Sequence, residues 1–171
     1  LNRDDQNIFI RELTLRNGEV FNLSLSPKAN TKITVTMAWN DPAGTPVANS
    51  LDPPNLMLVN DLDVRILDGQ TVAQFPWSLN PEVPSLGQPA TKSDNFRDNV
   101  EKIEFESPEA KIYTLSVSHK GILRGNSQVL SLIVTYTSIT PKSQTLYWVG
   151  GTGDWNDSNH WSLSSGGPPA S

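Results

Sequence analysis

The stretch "KITVTMAW", residues 32–39, predicts the fold because its apolar side chains return at every second position. The residues that share this apolar face are Ile33, Val35, Met37 and Trp39. Alternation with a period of two is typical of a β-strand with one buried face, whereas an amphipathic helix repeats every three or four residues. We therefore expect a strand here, in which Trp39 continues the core-facing side.

The same alternation recurs along the chain up to residue 136. Turns that contain glycine, such as "RNGE" (16–19) and "LDGQ" (67–70), separate several of the apolar runs, as β-hairpins require. The predicted strands cover residues 8–15, 19–25, 32–39, 62–67, 71–75, 99–105, 111–118 and 128–136. This series of short strands, with almost no helical periodicity, predicts an all-β fold, a jelly-roll β-sandwich of about eight strands.

The composition is that of a folded domain. Hydrophobic residues make up 36% and charged residues 18% of the 171 residues, which excludes a disordered chain, and no apolar run is long enough to span a membrane. The net charge is −5 and the basic residues are scattered, so we expect a monomer with no nucleic-acid partner and no membrane insertion. The chain has no cysteine, which excludes disulfides, a thiolate metal site and a cysteine nucleophile.

The character of the sequence changes near residue 140. We assign residues 1–140 to a β-sandwich accessory domain and residues 141–171, which are rich in Gly, Ser and Trp, to a linker and the truncated start of a following module. Because the chain begins with Leu1 rather than methionine, we expect it to be a fragment of a larger protein.

One predicted strand carries an unusual concentration of charge. In "LMLVNDLDVRILDG", residues 57–70, Asp61, Asp63 and Arg65 project from the face opposite the apolar one. Neighbouring carboxylates on one face destabilise a strand unless a positive charge offsets them. The alternatives are a solvated outer face on which Arg65 compensates part of the charge, or a bound cation.

Two long loops, residues 40–56 and 76–99, flank this strand and bring further Asp and Asn residues. "WNDPAG" supplies Asn40 and Asp41, and "SDNFRDNVE" supplies Asp94, Asn95, Asp98, Asn99 and Glu101. Carboxylate and amide oxygens without His or Cys favour a hard cation, and calcium tolerates irregular loop-borne geometry better than magnesium does. The same residue types also form Asx-turns and caps, so the residues alone leave both interpretations open.

Taken in order, "VTMAWNDPAG", "LVNDLDVRI", "DNFRDNVEKIEFESPEAKIYTLSVSHKG" and "QVLSLIVTY" resemble a known module over residues 8–137. It is the C-terminal, P-domain-like jelly-roll β-sandwich of secreted bacterial subtilisin-like serine proteases. The resemblance implies a non-catalytic domain that binds calcium, packs beside an upstream catalytic domain of the same chain, stabilises it and contributes to recognition of protein substrates. It also implies a secreted or cell-surface protein whose parent is a serine endopeptidase.

The resemblance further implies a set of metal ligands. The matching positions, which we take as the predicted calcium ligands, are Asp41, Asn60, Asp61, Asp63, Asn99 and Glu101. The chain departs from the family pattern by the inserted "TPVANSLDPPNLM" and by "TKSDNFR" before the "DNVE" motif. The tail "YWVGGTGDWNDSNHWSLSSGG" resembles the opening of a module of very large bacterial surface or secreted proteins.

We predict no catalytic site in this chain. The two histidines, His119 and His160, are not accompanied by a G-x-S-x-G nucleophile motif, and His119 is predicted to be an exposed loop residue after a strand. The alternative function is a carbohydrate-binding or adhesin-like structural module. In that interpretation Trp77, together with Trp39 and Tyr113, would form a stacking platform for sugars.

Overall fold

The computed structural model describes residues 3–4, 8–51, 53–80, 88–138, 147–154, 157–162 and 165. The chain divides into two compact units, Leu1–Ser138 and Ile139–Ser171. The predicted domain boundary after residue 140 lies in the segment 139–146, outside the described residues.

The first unit is built from antiparallel strands. Their bounds are β1 Arg3–Asp4, β2 Ile8–Arg16, β3 Phe21–Leu25, β4 Thr31–Trp39, β5 Leu62–Asp68, β6 Thr71–Gln74, β7 Trp77–Ser78, β8 Thr91–Lys92, β9 Val100–Ser107, β10 Tyr113–His119 and β11 Ser127–Ser138. The first sheet has the strand order β1-β2-β11-β4-β9 and the second sheet has the order β3-β10-β5-β6, while β7 pairs with β8. The two sheets supply the inward-facing apolar residues of one core.

The strand order is that of a jelly roll. Each of the strands β3, β4 and β5 lies in the opposite sheet from the strand before it, and the long strands form the four-stranded orders β2-β11-β4-β9 and β3-β10-β5-β6. The predicted all-β sandwich is therefore confirmed. The described residues form no α-helix, and none of their helical segments has the length and apolarity needed to cross a membrane.

The pairing register aligns the inward-facing side chains of the first sheet in rows. One row runs from Leu132 on β11 to Met37 on β4 and then to Glu101 on β9. The side chains of Leu132 and Met37 are fully buried, as the period-two pattern predicts. Glu101 therefore occupies a core-facing position, at which an aliphatic residue would continue the row.

The structure confirms the core-facing position of Trp39 and corrects two other sequence-based expectations, the sugar platform and the position of His119. Trp39 and Tyr113 are core residues, exposed by only 4% and 6%, so the predicted sugar platform with Trp77 is wrong. The Trp77 ring is covered in part by the Lys92 ammonium, 5.4 Å from its centroid. His119 is also not an exposed loop residue: it ends β10, is half-buried, and its Nε2 accepts a hydrogen bond from the Gly18 N–H at 2.9 Å.

The second unit contains a short two-stranded ladder between β12 (Tyr147–Trp148) and β13 (Trp161–Ser162). A 3-10 turn, Ser158–His160, comes directly before β13. The ring of His160 stacks on that of Trp148, with centroids 4.7 Å apart. A Cβ at Gly153 would lie 2.0 Å from His160 Nε2, so only glycine fits beside this stacked pair. Packing around His160 thus explains the presence of Trp148 and Gly153 in this segment.

Adjacent residues of β11 provide a test of the core assignment. Leu132→Ala removes a fully buried side chain and is expected to lower the free energy of unfolding by about 2–5 kcal/mol. Ile133→Ala, on the outward face and 40% exposed, is expected to cost less than about 1 kcal/mol. Urea unfolding measures both values, and equal losses would contradict the assigned faces.

Candidate functional site

The candidate site lies at one edge of the sandwich, where β5 and β9 approach each other. Strand β6 is short and pairs with β5 only from Ile66 onward, so the Val64 N–H has no partner in that ladder. The Glu101 carboxylate, which comes from the first sheet, accepts this N–H through Oε2 at 2.6 Å. A side chain of one sheet thereby supplies a main-chain hydrogen bond that the other sheet lacks.

Glu101 is fully buried, and its second oxygen, Oε1, has no hydrogen-bond partner among the described residues. Burial raises the pKa of Glu101 to about 8, although the Val64 N–H and the Arg65 guanidinium both favour the charged form. At neutral pH the carboxyl group is therefore mostly protonated. This makes Glu101 the most perturbed acid of the site.

Arg65 links Glu101 to two further acids. Its Nη2 contacts Asp63 Oδ1 at 2.5 Å and also contacts Asp94, while its Nη1 lies 3.6 Å from Glu101 Oε2. The guanidinium also donates to the Val64 carbonyl at 2.8 Å and lies over the ring of Phe75. The planar guanidinium is thus held from several directions, and only 13% of the side chain is exposed.

A second positive group, which sequence analysis missed, comes from the turn after β10. Lys120 Nζ lies 3.1 Å from Asp61 Oδ2, 3.1 Å from Asp63 Oδ1 and 2.9 Å from Asp94 Oδ2. The Lys120 backbone N–H donates to the Asp61 carbonyl at 2.8 Å. Burial alone would lower the pKa of Lys120, but the three carboxylates outweigh this effect and raise it, so the ammonium stays charged.

We call the four acids around Arg65 and Lys120 the acidic cluster; its members are Asp61, Asp63, Asp94 and Glu101. Burial raises the pKa of Asp61 and of Asp63 despite the nearby cations. The pKa of Asp94 is lowered, because its contacts with Lys120 outweigh its partial burial. While Glu101 is protonated, the three aspartates exceed the two basic groups by one negative charge, and ionisation of Glu101 adds a second.

Three of the six predicted ligands, Asp61, Asp63 and Glu101, meet in the acidic cluster, and the other three do not. Asp41 uses both carboxylate oxygens to accept the N–H groups of Val59, at 2.7 Å, and Asn60, at 2.8 Å. Asn99 Nδ2 donates to the Trp39 carbonyl at 2.6 Å. Asp41 thus fixes the loop after β4, and Asn99 fixes the loop before β9, a role that Asp and Asn commonly take.

Asn60 lies at the centre of this loop network. It is 1% exposed, its Oδ1 accepts the Arg124 N–H at 2.7 Å, and its Nδ2 donates to Gln128 Oε1 at 2.8 Å. Its carbonyl accepts the indole N–H of Trp39 at 3.1 Å. Because both polar atoms of the side chain are already bonded within the protein, Asn60 has a structural role next to the acidic cluster.

The arrangement of the acidic cluster differs from that of an open metal cage. Within the ranges that the structure describes, no group of three or more Asp, Glu, His or Cys side chains is placed to hold a metal ion. The basic ends of Arg65 and Lys120 lie between the carboxylates instead. The donor chemistry still suits calcium, since every acidic atom is a hard oxygen and both Glu101 Oε1 and Asp61 Oδ1 are buried without a hydrogen-bond partner among the described residues.

Comparison with known proteins identifies no family and no curated relative by sequence, since no family model and no curated protein sequence matches the chain. A solved structure to which the chain shows a distant similarity is PliG of Aeromonas hydrophila, a periplasmic inhibitor of g-type lysozyme. The TM-score is 0.40 and the sequence identity 11%, over 77% of this chain and 87% of that chain, and we base no functional argument on this similarity.

The raised pKa of Glu101 makes stability depend on pH. The folded state keeps a proton up to about pH 8 that the unfolded state, with a pKa of 4.5, releases earlier. The contribution of Glu101 to the free energy of unfolding is therefore fully present below pH 4.5. It falls by up to about 5 kcal/mol as the pH rises to about 8.

In Glu101→Gln this fall of the unfolding free energy between pH 4.5 and 8 is expected to become much shallower, because the amide does not titrate. Urea unfolding at several pH values, with a chelator present, measures the slope. Glu106→Gln, on the same strand but exposed, is the control and should keep the slope of the parent chain. Parallel slopes for Glu101→Gln and the parent would contradict the assignment.

The loop network can be tested separately from the acidic cluster. Asp41→Asn replaces one of two acceptor oxygens with a donor, and we expect a loss of about 1–3 kcal/mol in unfolding free energy. Asp98→Asn, at an exposed side chain in the second long loop, should change stability by less than about 0.5 kcal/mol. If both variants unfold at the same urea concentration, Asp41 does not fix its loop.

Proposed function

We propose that this chain contains a non-catalytic, calcium-binding accessory domain of an exported subtilisin-like serine protease. The observation that carries the proposal is the convergence of acids from two separate chain segments, residues 61–63 and 94–101, around two basic groups that do not balance them. The sequence resemblance over residues 8–137, whose motifs include these acids, supports the same assignment.

A divalent cation would correct the charge of the cluster. Asp61, Asp63, Asp94 and Glu101 would hold the ion through carboxylate oxygens, as calcium prefers. Two of those oxygens, Asp61 Oδ1 and Glu101 Oε1, have no hydrogen bond to give up among the described residues. The remaining predicted ligands, Asp41, Asn60 and Asn99, would act on the loops around the site rather than on the ion.

Bound calcium would stabilise the edge of the sandwich. It would connect β5 to β9 and to the loop before β9 that carries Asp94, and so hold together residues 61–63 and residues 94–101, which are distant in sequence. Binding to the folded state alone stabilises that state by an amount that grows with the logarithm of the ion concentration once this exceeds the dissociation constant. Outside a cell, where we propose that the domain works, modules with calcium dissociation constants of about 10⁻⁴–10⁻³ M are common. An edge stiffened in this way would support a neighbouring catalytic domain and the binding of its protein substrates.

Thermal unfolding of the whole chain in calcium and in EGTA tests the proposal. At a calcium concentration about ten times the dissociation constant, the folded state should gain about 1.4 kcal/mol, which raises the midpoint by about 5 °C. The calcium-dependent shift should disappear in Asp63→Asn and persist in Asp98→Asn, with each variant compared with itself in EGTA.

An identical midpoint for the parent chain in calcium and in EGTA would contradict the calcium-binding function. The domain would then be a structural module whose acids are neutralised by Arg65 and Lys120 alone. Because the shift is measured within each variant, a general loss of stability in Asp63→Asn does not affect the interpretation.

A further inference from the structure

The Lys120 ammonium occupies the centre of three carboxylates. An ammonium group has three N–H donors. Lys120 Nζ has one acid within reach for each, at 3.1 Å from Asp61 Oδ2, 3.1 Å from Asp63 Oδ1 and 2.9 Å from Asp94 Oδ2. This is the arrangement in which carboxylates surround a small cation, with a tethered positive charge in place of a free ion.

The geometry points to Lys120 as a built-in cation of the acidic cluster, which competes with calcium for the same carboxylates. The inference rests on the proposed calcium site and adds the way in which that site is regulated. In the absence of calcium the ammonium neutralises the cluster and holds the edge together. When calcium binds, the Lys120 side chain has to leave.

The attachment of Lys120 permits this exchange. Its backbone is held by the hydrogen bond to the Asp61 carbonyl, and it precedes Gly121, whose φ of 61° marks a tight turn. The side chain above this anchor is 40% exposed, so a path to solvent is open. Its four-carbon stem can rotate outward while the main chain stays in place.

Arg65 differs from Lys120 in each of these respects. Its side chain is only 13% exposed and is held by the Val64 carbonyl and by the Phe75 ring as well as by acids. The guanidinium therefore stays in the cluster when an ion enters. Exchange of the Lys120 ammonium for calcium raises the positive charge in the cluster from two to three, which equals the charge of the three ionised aspartates, so the ion is the better match once it is abundant.

Calcium titration calorimetry on the whole chain tests the competition. In Lys120→Met, which keeps the length and apolar stem of the side chain, calcium should bind at least about 10-fold more tightly than in the parent, because no internal charge has to be displaced. Lys111→Met is the matched control. Lys111 also pairs with an acid, Asp68 at 2.6 Å, and has a similar side-chain exposure of 38%. The calcium affinity of Lys111→Met should stay within about two-fold of that of the parent chain.

A second measurement uses the unaltered protein and does not depend on whether Lys120→Met folds. The ¹⁵Nζ resonances of lysine ammonium groups are visible by NMR when hydrogen bonds slow their exchange with water. The signal of Lys120, assigned through Lys120→Met or through its side-chain carbons, should be present in EGTA and disappear at saturating calcium. The signal of Lys111 should be the same in both conditions.

The outcomes separate this inference from the proposed function. Equal calcium affinity in the parent and Lys120→Met, or a Lys120 signal that persists in calcium, would overturn the competition and leave the calcium site intact. Binding by Lys120→Met without binding by the parent would support Lys120 as the cation and overturn calcium binding as the function of the natural chain. Absence of binding in both proteins would overturn both.

Discussion

The hydrogen bond from the Val64 N–H to the Glu101 carboxylate is the interaction on which this edge of the sandwich depends. Strand β6 is too short to pair with the first half of β5, and a buried main-chain donor without a partner is costly. Glu101 reaches across from the opposite sheet and satisfies that donor. This hydrogen bond requires a carboxyl group in the core, and Arg65, Lys120 and the remaining acids of the cluster surround that group.

A buried group of charges seldom maximises stability. Removing ions from water has a large free-energy cost, and their mutual attraction offsets it only when the geometry is good and the remaining polar atoms are bonded. In the acidic cluster two carboxylate oxygens, Asp61 Oδ1 and Glu101 Oε1, remain without a hydrogen bond among the described residues. Aliphatic residues at these positions would pack more simply. The acidic cluster is therefore incompletely bonded in the part of the chain that the structure describes.

The sequence predicted the strands and the core well, because each depends on local pattern. The alternation in residues 32–39 and 128–136 places Met37 and Leu132 inward, as the structure confirms. The composition of the acidic cluster depends instead on strand register. Because Ser118 pairs with Asp63, Lys120 lies beside Asp61. Lys120 and Asp61 are 59 residues apart in sequence, and no local pattern indicates this register. Similarly, the sequence does not show which Asp and Asn side chains bond to the backbone of a loop, so Asp41, Asn60 and Asn99 could not be separated from the members of the acidic cluster.

The outermost strand of the first sheet, β9, has a further consequence for behaviour in concentrated solution. An unprotected edge strand invites a second molecule to add its own strand and begin an aggregate. Here the Lys92 ammonium donates to the Glu104 carbonyl at 2.8 Å, and Glu104 itself pairs with Lys32 and Lys102 at 3.3 Å each. A strand approaching from a neighbouring molecule would have to strip these charges of water and displace Lys92. The β9 edge of the sheet thus discourages edge-to-edge association.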